Sequence, residues 1–121
     1  MEYKFRGFDA TGQKGWVYGD LVHNKKVTKT GLEDRVMVGG YEVVLESVGL
    51  FTGLKDCNGE DIYEGDYLVT SVGFEGVVTY HKDGYFYIKD DPIVVANAYT
   101  SLGEMLRYCQ LKIDNKTSWA K

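Results

Sequence analysis

The sequence predicts a mainly β fold with one short helix near the C-terminus. Three observations predict it. Gly occurs 15 times and Tyr 10 times in 121 residues, with Pro only at Pro92; glycine favours tight turns and tyrosine favours strands. Several runs alternate apolar and polar residues, the period of a half-buried strand. Only "TSLGEMLRYCQL" carries helical spacing. The length fits a single domain large enough to bury one core without a covalent staple.

Each element follows in order. In "EYKFRGF", Tyr3 and Phe5 share one face and Lys4 and Arg6 the other, as in a half-buried strand. "DATGQKG" reads as a turn, and "WVYGDLV" resumes a strand from Trp16, so the chain opens with a hairpin whose loop exceeds two residues. "HNKKVTKTGLED", His23 to Asp34, is polar and aperiodic and is expected to be an exposed, mobile loop. Gly39-Gly40 can adopt the positive φ values of a tight hairpin turn, joining Arg35–Val38 to Tyr41–Glu46.

Asn58-Gly59 is a strong hairpin signal, and Glu64-Gly65-Asp66 reads as a bend or bulge before a strand from Tyr67. Asp83-Gly84 lies between two alternating runs and predicts a two-residue type I′ turn. That turn sets a register: Lys82 opposite Tyr85, His81 opposite Phe86, Tyr80 opposite Tyr87, Thr79 opposite Ile88. Val77, Thr79, His81, Phe86 and Ile88 then form the core face, and Val78, Tyr80, Tyr85, Tyr87 and Lys89 the other. In the helix, Ser101 followed by Glu104 matches a capping box, and Leu102, Met105, Leu106 and Cys109 fall on one stripe. Gly103 weakens it by about 1 kcal/mol relative to Ala. The tail "DNKTSWAK" is polar, with Trp119 expected to dock.

Composition narrows the function classes. The net charge is −4, which opposes nonspecific nucleic-acid binding driven by total charge. The first 30 residues nevertheless hold six basic residues (Lys4, Arg6, Lys14, Lys25, Lys26, Lys29) against three acidic ones, and the remainder eight against fifteen. Such unevenness is ordinary for a solvated surface, and it also permits a basic contact face. The N-terminus carries charges where a signal peptide needs an apolar run, and no stretch reaches a membrane-spanning length. A cytoplasmic protein with reduced Cys57 and Cys109 is expected.

The densest concentration of chemistry is "FTGLKDCNGEDIYEGDYLV", Phe51 to Val69, where Asp56, Glu60, Asp61, Glu64 and Asp66 crowd among Gly53, Gly59 and Gly65. As a calcium loop it fails: the position that needs Gly is Asp61 and the position that needs Glu is Tyr67. Turn chemistry explains the whole pattern, with Asp56 and Asp66 accepting backbone N–H bonds around the turns. Other sites fail more quickly. "GFDATGQK" lacks the adjacent Gly-Lys-Ser/Thr of a phosphate loop. Cys57, Cys109, His23 and His81 lack zinc-ligand spacing, and nothing local supports a Cys57–His81 nucleophile pair. No catalytic, metal or cofactor residue is assigned. Tyr80, Tyr85 and Tyr87, sharing one hairpin face, are the candidate interaction surface if another strand does not cover them.

The same stretch resembles the signature of the YopX-like family of phage and prophage proteins. The match runs through Val48-Gly49, Phe51 to Asp56, Asn58-Gly59 and Ile62 to Asp66. The opening "YKFRGFD" with "WVYGDLV" and the strand pair around Asp83-Gly84 also resemble that family, for a span of roughly residues 3–90. Leu50, Cys57 and Asp61 depart from the usual residues, and "CQLKIDNKTSWAK" stands where the family often has a different final strand. The resemblance implies an SH3-like β-barrel core of about residues 51–121, an N-terminal β-hairpin extension of about 1–50, and expression in the cytoplasm of a bacterial host. It implies no established biochemical activity.

Three functions are therefore compared. The first is a non-enzymatic accessory protein that binds a host or phage protein, or a second copy of itself. The second is a nucleic-acid-associated small barrel using Lys4, Arg6, Lys25, Lys26 and Lys29. The third is a metal-dependent enzyme using the Asp56–Asp66 carboxylates. None involves a membrane.

Overall fold

The computed structural model describes residues 4–71, 73, 75–89, 101–106 and 109–114. Eleven strands, one 3-10 turn and one short α-helix are present among them, so the fold is mainly β. The chain forms two compact units, with the boundary between Phe51 and Thr52. Trp119, Asn115 and Pro92 lie outside the described residues.

In the first unit, β1 (Phe5–Phe8) pairs antiparallel with β2 (Trp16–Gly19), giving the opening hairpin. The polar stretch expected to be a mobile loop is instead a regular hairpin. β3 (Leu21–Thr28) and β4 (Gly31–Val38) pair along eight residues each, turning at Lys29-Thr30. Its distal strand pairs carry few buried side chains, which removes the period-two signal that a half-buried strand would leave. Backbone pairing still satisfies the ladder. Gly39 and Gly40 have φ of 59° and 88°, and Val38 pairs with Tyr41 at the start of β5 (Tyr41–Glu42). Both central residues thus have the positive φ of a two-residue type I′ turn. A 3-10 turn at Leu45–Ser47 leads into β6 (Gly49–Lys55), whose first residues pair with β1. Val17, Val36, Val38 and Val43 form this unit's core, with Phe5, Leu21 and Val48 against it. Gly7 permits that packing, because a Cβ there would stand 2.7 Å from the Val43 side chain.

In the second unit, the rest of β6 turns into β7 (Asp61–Tyr63), and a four-stranded sheet follows in the order β10-β9-β8-β11. Its strands are β8 (Tyr67–Thr70), β9 (Glu75–His81), β10 (Tyr85–Lys89) and β11 (Leu111–Ile113). Ile62, Leu68, Val78, Ile88, Leu102 and Leu111 are buried. Helix α1 is only Leu102–Met105, capped as expected: the Ser101 hydroxyl accepts the Glu104 N–H at 3.2 Å. The expected continuation to Cys109 is absent from the described residues, and Leu106 is partly exposed instead of completing a buried stripe. Among the described residues these strands form open sheets.

The register of β9 and β10 differs from the expected one by a residue. Tyr85 pairs with His81, Phe86 with Tyr80, and Ile88 with Val78. A type I′ turn needs positive φ at both central residues, and only Gly84 has it, at 94°. The loop is therefore the three residues Lys82–Gly84, with glycine in the left-handed position. The shift moves β9 onto its other face: Val78 is 1 % exposed and Val77 is 41 % exposed.

Candidate functional site

The acidic stretch was the leading candidate for chemistry, and its best-placed carboxylates are committed to the backbone. Asp56 is buried. Its Oδ1 accepts the N–H groups of Asn58 and Glu60, both at 2.9 Å, and its Oδ2 accepts the N–H of Ile113 at 3.2 Å. The turn closes with the Gly59 N–H on the Asp56 carbonyl at 3.0 Å and the Asp56 N–H on the Glu60 carbonyl at 2.8 Å. One carboxylate thus locks the hairpin between β6 and β7 and also fastens β11. Burial pushes the Asp56 carboxyl up, but its hydrogen bonds from Glu60, Ile113 and Asn58 outweigh this and hold it below its ordinary value.

Asp66 works likewise on the next turn. Its Oδ2 accepts the Tyr63 N–H at 2.8 Å, its own N–H reaches the Tyr63 carbonyl at 3.1 Å, and Gly65 takes φ of 93°. The expected bulge before β8 is present: the Gly65 N–H donates to the Val78 carbonyl at 2.9 Å and the Val78 N–H to the Asp66 carbonyl at 2.8 Å, so two residues oppose one, and the turn from Tyr63 closes into it. Asp61 accepts from the Lys55 ammonium at 2.7 Å. Thr52, which the sequence did not single out, is buried and donates to the Ile62 carbonyl at 2.8 Å. Among the described residues no three His, Cys, Asp or Glu side chains are grouped to hold a metal ion. Neither cysteine is in a disulfide; Cys57 is exposed and Cys109 half-buried.

The phosphate-loop near miss is also a turn. Asp9, buried in the first hairpin, accepts the N–H groups of Thr11 at 3.1 Å and Lys14 at 3.0 Å, and the Thr11 hydroxyl at 2.8 Å. The Thr11 and Lys14 backbone bonds lower its pKa.

Of the basic residues in the first 30, Lys4, Arg6, Lys25 and Lys26 have partners in the structure that occupy their charge. Arg6 is 6 % exposed, with its guanidinium over the Trp16 ring at 4.2 Å, so it is removed from any solvent-facing basic patch. Lys4 lies over Phe51 at 4.8 Å. Lys25 pairs with Asp34 at 3.0 Å, and Lys26 meets both carboxylate oxygens of Glu42 at 3.0 Å.

The tyrosine surface is rearranged by the register shift. Tyr85 and Tyr87 share a face and meet edge-on at 6.3 Å. Tyr80 lies on the opposite face, edge-on to Phe86 at 5.0 Å, and is half exposed. Tyr67, paired with Val77, lies on the same outward sheet face as Tyr85 and Tyr87 but across β9 from them, its hydroxyl donating to Glu75 at 2.8 Å.

Among the described residues the most exposed large apolar side chains are on the β3–β4 ribbon. Val27 and Leu32 are direct cross-strand partners near its tip, 83 % and 66 % exposed. Sequence reading missed them because an isolated Val in a polar run carries no period.

The family model described as YopX protein matches residues 4–119 of the chain. No curated protein matches it.

Proposed function

The chain belongs to the YopX family, and from that premise we propose that it is a non-enzymatic phage or prophage accessory protein that docks on a different protein through its β3–β4 ribbon. The exposed Val27–Leu32 pair carries this reading. Apolar surface of this kind, on an arm held together by the β3–β4 ladder, gains from burial against a protein cleft.

The choice of occupant rests on charge and area. Lys25 and Lys26 already have carboxylate partners within the ribbon's own sheet, so each phosphate contact would have to displace one. That disfavours nucleic acid. A second copy meeting tip to tip falls short: Val27 and Leu32 expose roughly 250 Å² together, so two tips bury roughly 500 Å² against the roughly 1,000 Å² of a stable interface. A groove that takes both faces of the ribbon covers far more. The Tyr67–Tyr85–Tyr87 face of the second unit is a further contact area of the same rigid, amphipathic character. An SH3-like barrel core for that unit and a bacterial cytoplasmic setting are part of the same reading.

Affinity capture from phage-infected bacterial cells tests it, with retained protein and nucleic acid both identified. The wild-type chain should retain a discrete protein that a Val27→Asp/Leu32→Asp variant loses. Retained nucleic acid lost in a Lys25/Lys26/Lys29→Ala variant would replace this reading with the nucleic-acid one. A bound divalent ion would revive the enzymatic one.

A further inference from the structure

We propose that the Asn58–Gly59 peptide is a latent deamidation site that the Asp56 clamp keeps closed, and whose conversion to the isoaspartyl form irreversibly releases the clamp. The sequence supplies the reactive pair. In deamidation the Gly59 backbone nitrogen attacks Asn58 Cγ, a new C–N bond forms, and the side-chain nitrogen leaves as ammonia with the proton that Gly59 gives up. Water then opens the cyclic imide at either carbonyl, leaving aspartate or its isoaspartyl isomer at position 58. Glycine is the successor that hinders this attack least. Here both residues are exposed, and a Cβ at Gly59 would meet nothing within 4 Å, so the surroundings offer no steric shield.

The shield is instead hydrogen bonding. The nucleophilic nitrogen has its N–H directed at the Asp56 carbonyl at 3.0 Å. The N–H groups on either side, of Asn58 and Glu60, both rest on Asp56 Oδ1 at 2.9 Å. Attack requires the Gly59 nitrogen to lose its proton and the 58–59 peptide to rotate towards the Asn58 side chain. Both movements require the clamp to open first. The rate is then the intrinsic rate multiplied by the fraction of time the turn is open.

The isoaspartyl product cannot close again. An isoaspartyl link adds a methylene to the main chain between positions 58 and 59, so the two N–H groups no longer reach one oxygen together. Asp56 then loses the geometry from which Oδ2 holds Ile113. A chemical change in a surface turn is thereby transmitted to the edge strand β11.

The test incubates the full chain in mildly alkaline buffer in three forms: folded, unfolded in urea, and as the Asp56→Ala variant. Mass spectrometry of the tryptic peptide spanning 56–82 resolves the Asn58, aspartyl and isoaspartyl forms. The folded chain should convert about a hundredfold or more slowly than the unfolded chain, the least that two charge-assisted bonds impose. Asp56→Ala should approach the unfolded rate. Equal rates in the folded and unfolded chains, no conversion of the unfolded chain at Asn58, or a folded Asp56→Ala variant at the wild-type rate would each overturn the proposal. If Asp56→Ala does not fold, hydrogen exchange of the wild-type Gly59 amide decides: protection at least as large as the slowdown supports the clamp, and an unprotected amide overturns it.

Discussion

Replacing Asp56 by Asn separates the two jobs that its carboxylate performs. The side chain keeps its shape, but one oxygen becomes an NH₂ group. Oδ1 serves two donors, the N–H groups of Asn58 and Glu60, and Oδ2 serves one, that of Ile113. The amide oxygen therefore stays with the turn, and the NH₂ group is left facing the Ile113 N–H, donor against donor. A hydrogen bond to a charged acceptor contributes about 1.5–3 kcal/mol, and the two retained bonds weaken when their acceptor becomes neutral. The Ile113 bond is only partly buried, which places the expected loss at about 1–3 kcal/mol. Urea titration measures the total, and amide hydrogen exchange by NMR locates it. Ile113 should lose its protection while Asn58 and Glu60 keep theirs. The pH dependence gives an independent check. Because the folded pKa of Asp56 is depressed, its stabilisation is present above the unfolded value of about 3.9 and is lost as pH falls through the folded value. The gap between wild type and Asp56→Asn should therefore narrow on acidification through that window. Equal loss of protection at Asn58, Glu60 and Ile113, or no loss of stability, would refute the reasoning.

Three further outcomes follow from the same structure. Gly59→Val should cost about 1 kcal/mol or more, because φ of 79° strains a β-branched residue, whereas Glu60→Gln should stay within about 0.5 kcal/mol; urea midpoints give the order. Ser47→Ala should cost about 1–3 kcal/mol by thermal or urea unfolding, since the buried hydroxyl accepts the Phe8 N–H at 2.7 Å and donates to the Val44 carbonyl at 2.6 Å. In the folded chain Cys57 should alkylate faster than Cys109, and both should react once unfolded, as peptide mass mapping will show.

Turn chemistry was the most legible part of the sequence, because a turn depends on residues only a few positions apart. Gly39-Gly40 and the Ser101–Glu104 cap do what their residue types dictate, and Asn58-Gly59 does place a hairpin, though with positive φ at Gly59 alone. The reading of Asp56 as a turn acceptor also held, although its tie to Ile113, 57 residues away, was beyond any local signal. Asp83-Gly84 shows the limit. The dipeptide suits both a two-residue and a three-residue loop, and that one-residue difference decides which side of β9 faces the core. The assignment of Tyr80 to the face of Tyr85 and Tyr87 failed for that reason alone. The β3–β4 ribbon was illegible for another. Its stability comes from backbone pairing and cross-strand contacts such as Lys25–Asp34, and neither leaves an alternating hydrophobic pattern. Arg6 was read as a surface cation because charge normally is at the surface. Its burial depends on Trp16, brought alongside only by the β1–β2 pairing.

The claim that the ribbon tip is the working surface and the acidic stretch a scaffold is tested most directly by photo-crosslinking in living host cells. A photoreactive side chain replaces Val27 in one variant and Glu60 in another, both exposed positions at which substitution should leave the fold intact. Position 27 should yield discrete adducts with a protein other than this chain, and position 60 should yield none. Adducts confined to position 60, or nucleic acid as the species captured at position 27, would contradict it.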